Sequence, residues 1–346
     1  MAQQKARVLI VGTGGVGTMA AYALEQGGKA EVTAVMRSNY EAVRKNGICI
    51  DSVQYGTGIT RWRPTNMCKA VPNVALEKLP PFDFVLVTTK NIPDVSPTVS
   101  DIIEPAVTPG KTAIVLSQNG INIEKPLISR FPTNPIISSV SYVGATEKSH
   151  GYIIHDDPDV QKVGPFNCPG LPARVAEEAA KRYIDIYNPE GKLEVAFDDN
   201  VRRTRWRKLI YNASFNSVAT ILRMDTPRMR MSGHIIDDLV RPIMKEVMAA
   251  ARADGVNDFP DDLPETVIRN DPIDSAFKPS MCQDIEKGNL IELENIVGEP
   301  LREGESKGVA MPTLRTIYGV LKGLQLKVKE SKGMWEPKFT VDSPYK

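Results

Sequence analysis

Lys208, Asn212 and Asn216 recur at four-residue spacing in RWRKLIYNASFNSVATIL, residues 205–222. At about 100° per residue they fall within an arc of about 80° on a helix. Most of the remaining circumference is apolar: Trp206, Leu209, Ile210, Ala213 and Ile221 on one side, Tyr211, Phe215, Val218 and Leu222 on the other. A helix apolar over so much of its surface is expected to be buried, so its polar stripe should face a cavity or a ligand. The solvent stripe of an amphipathic helix is the other reading of the same pattern. A lysine desolvated in this way has its pKa pushed down, which suits it to exchange a proton near neutral pH. The two amides can hold a carbonyl or a hydroxyl.

A second constellation stands near the start. Gly12-Thr-Gly14-Gly-Val-Gly17 fits GxGxxG and follows the apolar run Val8-Leu-Ile-Val11. Glycine triplets also occur in turns that bind nothing, but a strand before and a helix after give each glycine a task. The first permits the tight turn, the second lets the backbone approach a pyrophosphate, and the third allows close helix–strand packing. The phosphates would then meet the free N–H groups and the positive dipole end of the helix. About 20 residues further on, enzymes that use NAD place an acid for the ribose hydroxyls. Here the second strand ends in Met36-Arg37-Ser38. Arg37 can pair with a 2′-phosphate that an acid would repel, so NADPH is the expected cofactor.

These residues need an α/β scaffold followed by a helical one. Strands are expected at residues 8–11, 31–36, 82–88, 112–117, 135–142 and 152–155, with a helix from Thr18 to Gln26. Short apolar strands alternating with helices imply an N-terminal Rossmann-type doubly wound sheet over residues 1–196. Residues 197–346 read as an all-α domain, with helices at about 199–222, 233–253, 280–302 and 312–327. Pro242 should kink the second of these. Gly255 and Gly304 suit C′ positions, and the tail from Lys329 should be extended or mobile.

The chain's 346 residues exceed what one core usually organises, in keeping with two domains. With 43 basic and 42 acidic residues the net charge is +1, which offers no footprint for nucleic acid or an anionic membrane. Four scattered cysteines without a CxxC pair point to reduced thiols rather than a disulfide framework or a zinc site. His150 and His155 have no third metal ligand and read as a polar surface pair; no metal is expected. Neither a signal peptide nor a span-length apolar run is present, so a cytoplasmic protein is expected, as a monomer or a homodimer.

Taken together, the motifs resemble those of ketopantoate reductases. The matching segments are Trp206-Arg-Lys208-Leu-x-x-Asn212-x-x-x-Asn216 and Pro279-Ser280-Met281-x-x-Asp284-x-x-x-Gly288-x-x-x-Glu292. Thr88-Thr-Lys90 and Gln118-Asn119-Gly120 agree as well, each at the end of a strand. With Gly12, Gly14, Gly17 and Arg37, they run from residue 8 to about 300 in the family's order. The resemblance implies NADPH-dependent reduction of 2-dehydropantoate (ketopantoate) to pantoate, a step toward pantothenate and coenzyme A. It implies Lys208 as general acid, with Glu292 near the reacting oxygen or the nicotinamide ribose. Lys90 and Asn119 would line the cofactor side, while Asn212, Asn216, Ser280 and Asn119 would meet the substrate. Ser280 could also cap the helix that follows it, Glu292 could belong to an acidic surface stretch, and Asn119-Gly120 could be a turn.

One place departs from the family. Where it has an asparagine that helps bind the pantoate hydroxyl, this chain has Met224-Asp-Thr226-Pro227, and the proline-rich segment Asp258 to Lys278 is particular to it. Two alternatives follow: a reductase of another branched or aromatic 2-oxo acid, and, from a different class, a non-catalytic NADPH-binding sensor.

Overall fold

Strand β1 (Ala6–Val11) is apolar without alternation because both of its faces are covered. Val8 and Ile10 join one core cluster and Leu9 and Val11 another, as the two-residue period of a strand requires. The computed structural model describes residues 4–346. It comprises two compact units, the first ending at Thr204 and the second running from Arg205 to Lys346.

In the first unit β1 lies inside an eight-stranded sheet with β2 (Ala30–Val35), β5 (Asn66–Cys68), β6 (Phe84–Val87), β7 (Ala113–Leu116), β8 (Ile136–Ser141), β11 (Val160–Pro165) and β12 (Glu194–Phe197). The order is β12-β11-β8-β7-β6-β1-β2-β5. All neighbours are parallel except β8 and β11. The chain leaves β1 toward β2 on one side and returns to β6 on the other. In open α/β sheets such a switch point, at the carboxyl ends of the strands, is where ligands bind. The helices Gly15–Gln26 and Ala173–Tyr187 bury Met19, Leu24, Tyr183 and Tyr187 on one face. Val99–Ile103 and Lys125–Arg130 cover the other with Val99, Ile103 and Leu127.

A second sheet, with order β4-β3-β10-β9, is built from β3 (Ile48–Ser52), β4 (Gly56–Trp62), β9 (Gly144–Ser149) and β10 (Tyr152–Asp157). The sequence reading contained one sheet, so residues 152–155 are corrected to this one. The expected surface pair of histidines is corrected too. His150 is exposed, but His155 shares the inner face of β10 with Ile153 and is buried. Its Nδ1 shares a 2.8 Å hydrogen bond with Ser52 Oγ, and burial holds the imidazole below its ordinary pKa.

The expected boundary at 196/197 precedes the helix Val201–Tyr211, whereas the units divide within it. Val201 belongs to the apolar cluster of the first unit, which keeps the first turn of that helix there. In the second unit the expected helix over 233–253 forms, with a π-helical turn at Ile236–Val240 just before Pro242. Widening the turn accommodates a residue that cannot donate a backbone bond, and the helix continues. Another π-helical turn, Glu294–Gly298, leads in the same way to Pro300.

The expected helix over 280–302 is broken. Ser280–Glu286 ends before Gly288, whose φ of 68° leaves the helical region, and helix resumes only at about residue 293. Gly255 has the positive φ of a C′ glycine, but Gly304 lies inside Glu299–Ser306. A Cβ on Gly304 would meet Ala250 Cβ at 2.9 Å, so this glycine serves close packing. Gly308 takes the left-handed position after that helix. The last helix, Pro312–Ser331, continues past the expected start of the tail at Lys329. Among the described residues no helix is long and apolar enough to cross a membrane, and no cluster of three or more acidic, histidine or cysteine residues could hold a metal.

Candidate active site

The glycine loop opens from the carboxyl end of β1 into the helix Gly15–Gln26. Gly12 has a φ of 105°, and a Cβ there would meet Thr89 N at 2.6 Å. A Cβ on Gly17 would lie 2.0 Å from Gly12 O, so the third glycine lets the helix approach the loop. Around Gly14, by contrast, a Cβ would meet nothing within 4 Å. No side chain caps this helix at Gly14. Open space in front of an uncapped helix N-terminus suits a dinucleotide pyrophosphate, and the residues present fit that group.

Three side chains hold the loop, of which sequence reasoning passed over Thr13 and Asn39. Thr13 Oγ1 donates to Val35 O at 2.9 Å, Asn39 Nδ2 donates to Thr13 O at 2.8 Å, and Thr88 Oγ1 donates to Gly12 O. Asn39 also donates to Glu147 Oε1 at 3.0 Å, which ties the loop to the second sheet. The only signal for Asn39 was its place just after Arg37-Ser38, where an Asx residue suits a turn. Arg37 and Ser38 are exposed at the end of β2. Lys90 is exposed after β6 and Asn119 half-buried after β7. Gln118 Nε2 donates to Thr89 O at 2.7 Å and so joins the two loops that carry them. Gly12, Gly14, Arg37, Lys90 and Asn119 therefore gather at the carboxyl ends of β1, β2, β6 and β7, beside the switch point.

In the second unit Lys208 is half-buried and lies one turn before Asn212. Asn212 and Asn216 bound a π-helical turn inside an otherwise α-helical run that continues through Ser217–Leu222. No proline follows to account for it. Three hydroxyls serve the backbone carbonyls around it: Ser214 donates to Ile210 O, Ser217 to Ala213 O and Thr220 to Asn216 O, each at 2.6 Å. Such widened turns are frequent at functional sites. Asn212 is 9% exposed and Asn216 1%.

Asn216 reaches the helix Ser280–Glu286. Its Oδ1 accepts from Met281 N at 2.9 Å, and its Nδ2 donates to Ser280 Oγ at 3.3 Å. The N-terminus of that helix is thus held by Asn216, and Ser280 is exposed rather than spent as the cap. Glu292 is 4% exposed, which sets it apart from a solvated acidic surface. The adjoining Ile291 is gripped through both backbone groups by Gln325: Ile291 N donates to Oε1 at 2.9 Å, and Nε2 donates to Ile291 O at 3.2 Å. A glutamine at 325 on an apolar helix face was the signal for this clamp.

The family model described as ketopantoate reductase PanE/ApbA matches residues 8–167, and its C-terminal counterpart matches residues 200–325. An uncharacterized protein of Saccharomyces cerevisiae is 35% identical over 95% of this chain and 96% of its own length. A 2-dehydropantoate 2-reductase of Nostoc is 25% identical over 96% and 98%. The crystal structure of 2-dehydropantoate 2-reductase from Methylococcus capsulatus superposes with a TM-score of 0.77 at 30% identity, covering 93% of this chain and 97% of that one. With both family models matched in order and the Rossmann and helical units both present, the chain belongs to the ketopantoate reductase family.

Proposed function

We propose that this chain is an NADPH-dependent reductase of 2-oxo acids, with 2-dehydropantoate, reduced to pantoate, as the first substrate to test. One observation carries the reading: a half-buried lysine one turn before a buried asparagine, on a helical run, residues 205–222, that is buried along most of its length. When bound, NADPH supplies the hydride. The glycine loop receives the pyrophosphate, Arg37 receives the 2′-phosphate, and Lys90 and Asn119 line the cofactor's place at the ends of β6 and β7. Hydride addition builds negative charge on the keto oxygen, so a cation able to surrender a proton there lowers the barrier. Lys208 is that general acid. Glu292 favours the charged form of the lysine before transfer and orients the reacting end. Asn212 and Ser280 hold the carboxylate and hydroxyl end of the substrate, with Asn216 beside them to set the Ser280 hydroxyl.

A second reading, reduction of another branched or aromatic 2-oxo acid, is favoured by Thr226. That residue stands where the family carries its hydroxyl-binding asparagine, and it is completely buried. The test of the reaction is to supply NADPH carrying deuterium at the transferring position together with ketopantoate. Deuterium at C2 of pantoate is the expected result, and unlabelled or absent product contradicts it.

Cofactor choice gives a separate expectation. NADPH should bind at least about tenfold tighter than NADH, a difference of about 1.4 kcal/mol. Arg37→Asp should shrink or reverse that preference, because it replaces the phosphate's partner with a like charge. Equal affinities of the parent protein in calorimetry would remove Arg37 from this role.

A further inference from the structure

One residue of the glycine loop is bonded on both sides of Arg37. Thr13 Oγ1 donates to Val35 O at 2.9 Å, just before the arginine, and Asn39 Nδ2, just after it, donates to Thr13 O at 2.8 Å. The turn that presents Arg37 is thereby clasped to the loop that opens at Gly14. Asn39 precedes the helix Tyr40–Asn46, where an asparagine usually caps the free N–H groups with its own side chain. Here the side chain makes no cap; it is buried and spent on the glycine loop. Its amide carries two N–H groups, and Nδ2 also donates to Glu147 Oε1 at 3.0 Å.

That same carboxylate oxygen accepts from Gly151 N at 3.1 Å, in the turn between β9 and β10, so Glu147 is fixed by its own hairpin. The hairpin packs against the start of the dinucleotide helix. A Cβ on Gly15 would lie 2.1 Å from Ala145 O, which accounts for the one glycine of this loop that the GxGxxG pattern leaves unassigned.

We propose that Asn39 and Glu147 are positioning residues for the cofactor: Glu147 orients the Asn39 amide, which locks the Arg37 turn to the glycine loop, so that the groups meeting the pyrophosphate and the 2′-phosphate are set as one unit. This rests on the reading of these loops as an NADPH site. Both residues act through Thr13 and Arg37 rather than on the reacting atoms.

The test is calorimetric titration of the full chain with NADPH and with NADH, without substrate, alongside the Tm of the unliganded protein. Asn39→Ala removes the clasp and should weaken NADPH at least about tenfold. NADH should lose less, so the preference for NADPH shrinks, because the freed turn no longer holds Arg37 against the loop. Glu147→Ala should act in the same direction, by about threefold or more. Glu147→Gln keeps an acceptor oxygen for Asn39 and Gly151, and should bind within about twofold of the parent. Because Glu147 acts through Asn39, adding Glu147→Ala to Asn39→Ala should weaken NADPH no further.

A lower Tm with unchanged coenzyme affinities would make the pair merely structural and overturn the proposal. Equal losses for the two coenzymes would overturn the link to Arg37, and additive losses in the double variant would overturn the relay from Glu147. A parent that binds neither coenzyme, or both alike, would defeat the reading of the site, and the proposal with it. A parent that prefers NADPH, with Asn39→Ala matching it in both affinities, would defeat the proposal alone.

Discussion

Lys208→Ala is expected to lower kcat by on the order of 10²–10⁴-fold, the usual contribution of a positioned general acid. NADPH affinity should change little, because the glycine loop and Arg37 lie in the other unit, which ends at Thr204. Lys208→Arg should not rescue the rate: guanidinium keeps the charge but does not release a proton near neutral pH. Glu292→Ala should be less damaging to kcat yet should shift its pH profile, since it removes the buried carboxylate that the proposed mechanism pairs with the lysine. Steady-state kinetics across pH would read all three variants. A Lys208→Ala enzyme within about threefold of the parent would mean an effect below about 1 kcal/mol. The proton would then have to come from water or from another residue.

Gly17→Ala is expected to lower NADPH affinity by at least about 100-fold, or about 2.7 kcal/mol. The added methyl would stand 2.0 Å from Gly12 O and 2.6 Å from Thr88 Oγ1, so loop and helix must separate. Overpacking of this kind costs about 1–3 kcal/mol, which should also lower Tm by several degrees. Gly14→Ala is the informative contrast. A methyl there meets nothing within 4 Å of the protein, so Tm should hold while NADPH binding weakens. If Gly14→Ala bound NADPH as tightly as the parent, the space in front of Gly14 would not be where the pyrophosphate sits.

Elements whose hydrophobic period matches their environment were legible in the sequence. The apolar run of β1, the glycine loop and the long helix around Lys208 all stand where residue type and spacing put them. The π-helical turn at Asn212–Asn216 was not legible from an even 100° wheel, because one extra residue in a turn alters the phase without altering composition. The cluster Ser214, Ser217 and Thr220 on an apolar helix was its trace. Residues 280–302 read as one helix because apolar residues continue at helical spacing across Gly288, and only the backbone angle of that glycine shows the break. Strand β4 lacks a buried face, so its pattern carries no two-residue signal, and the second sheet went unread. Thr226 was singled out as a departure, but its partner Asp271 lies 45 residues away in a segment with no periodicity.

The most direct measurement is NADPH consumption, followed by absorbance, with the parent protein against a panel of 2-oxo acids that includes ketopantoate, trimethylpyruvate and an aromatic member. The account predicts saturable oxidation of NADPH with at least one of them, loss of that activity in Lys208→Ala, and a stoichiometric yield of the 2-hydroxy acid. Tight NADPH binding with no oxidation across the panel would contradict it, and would leave a cofactor-binding sensor in place of an enzyme.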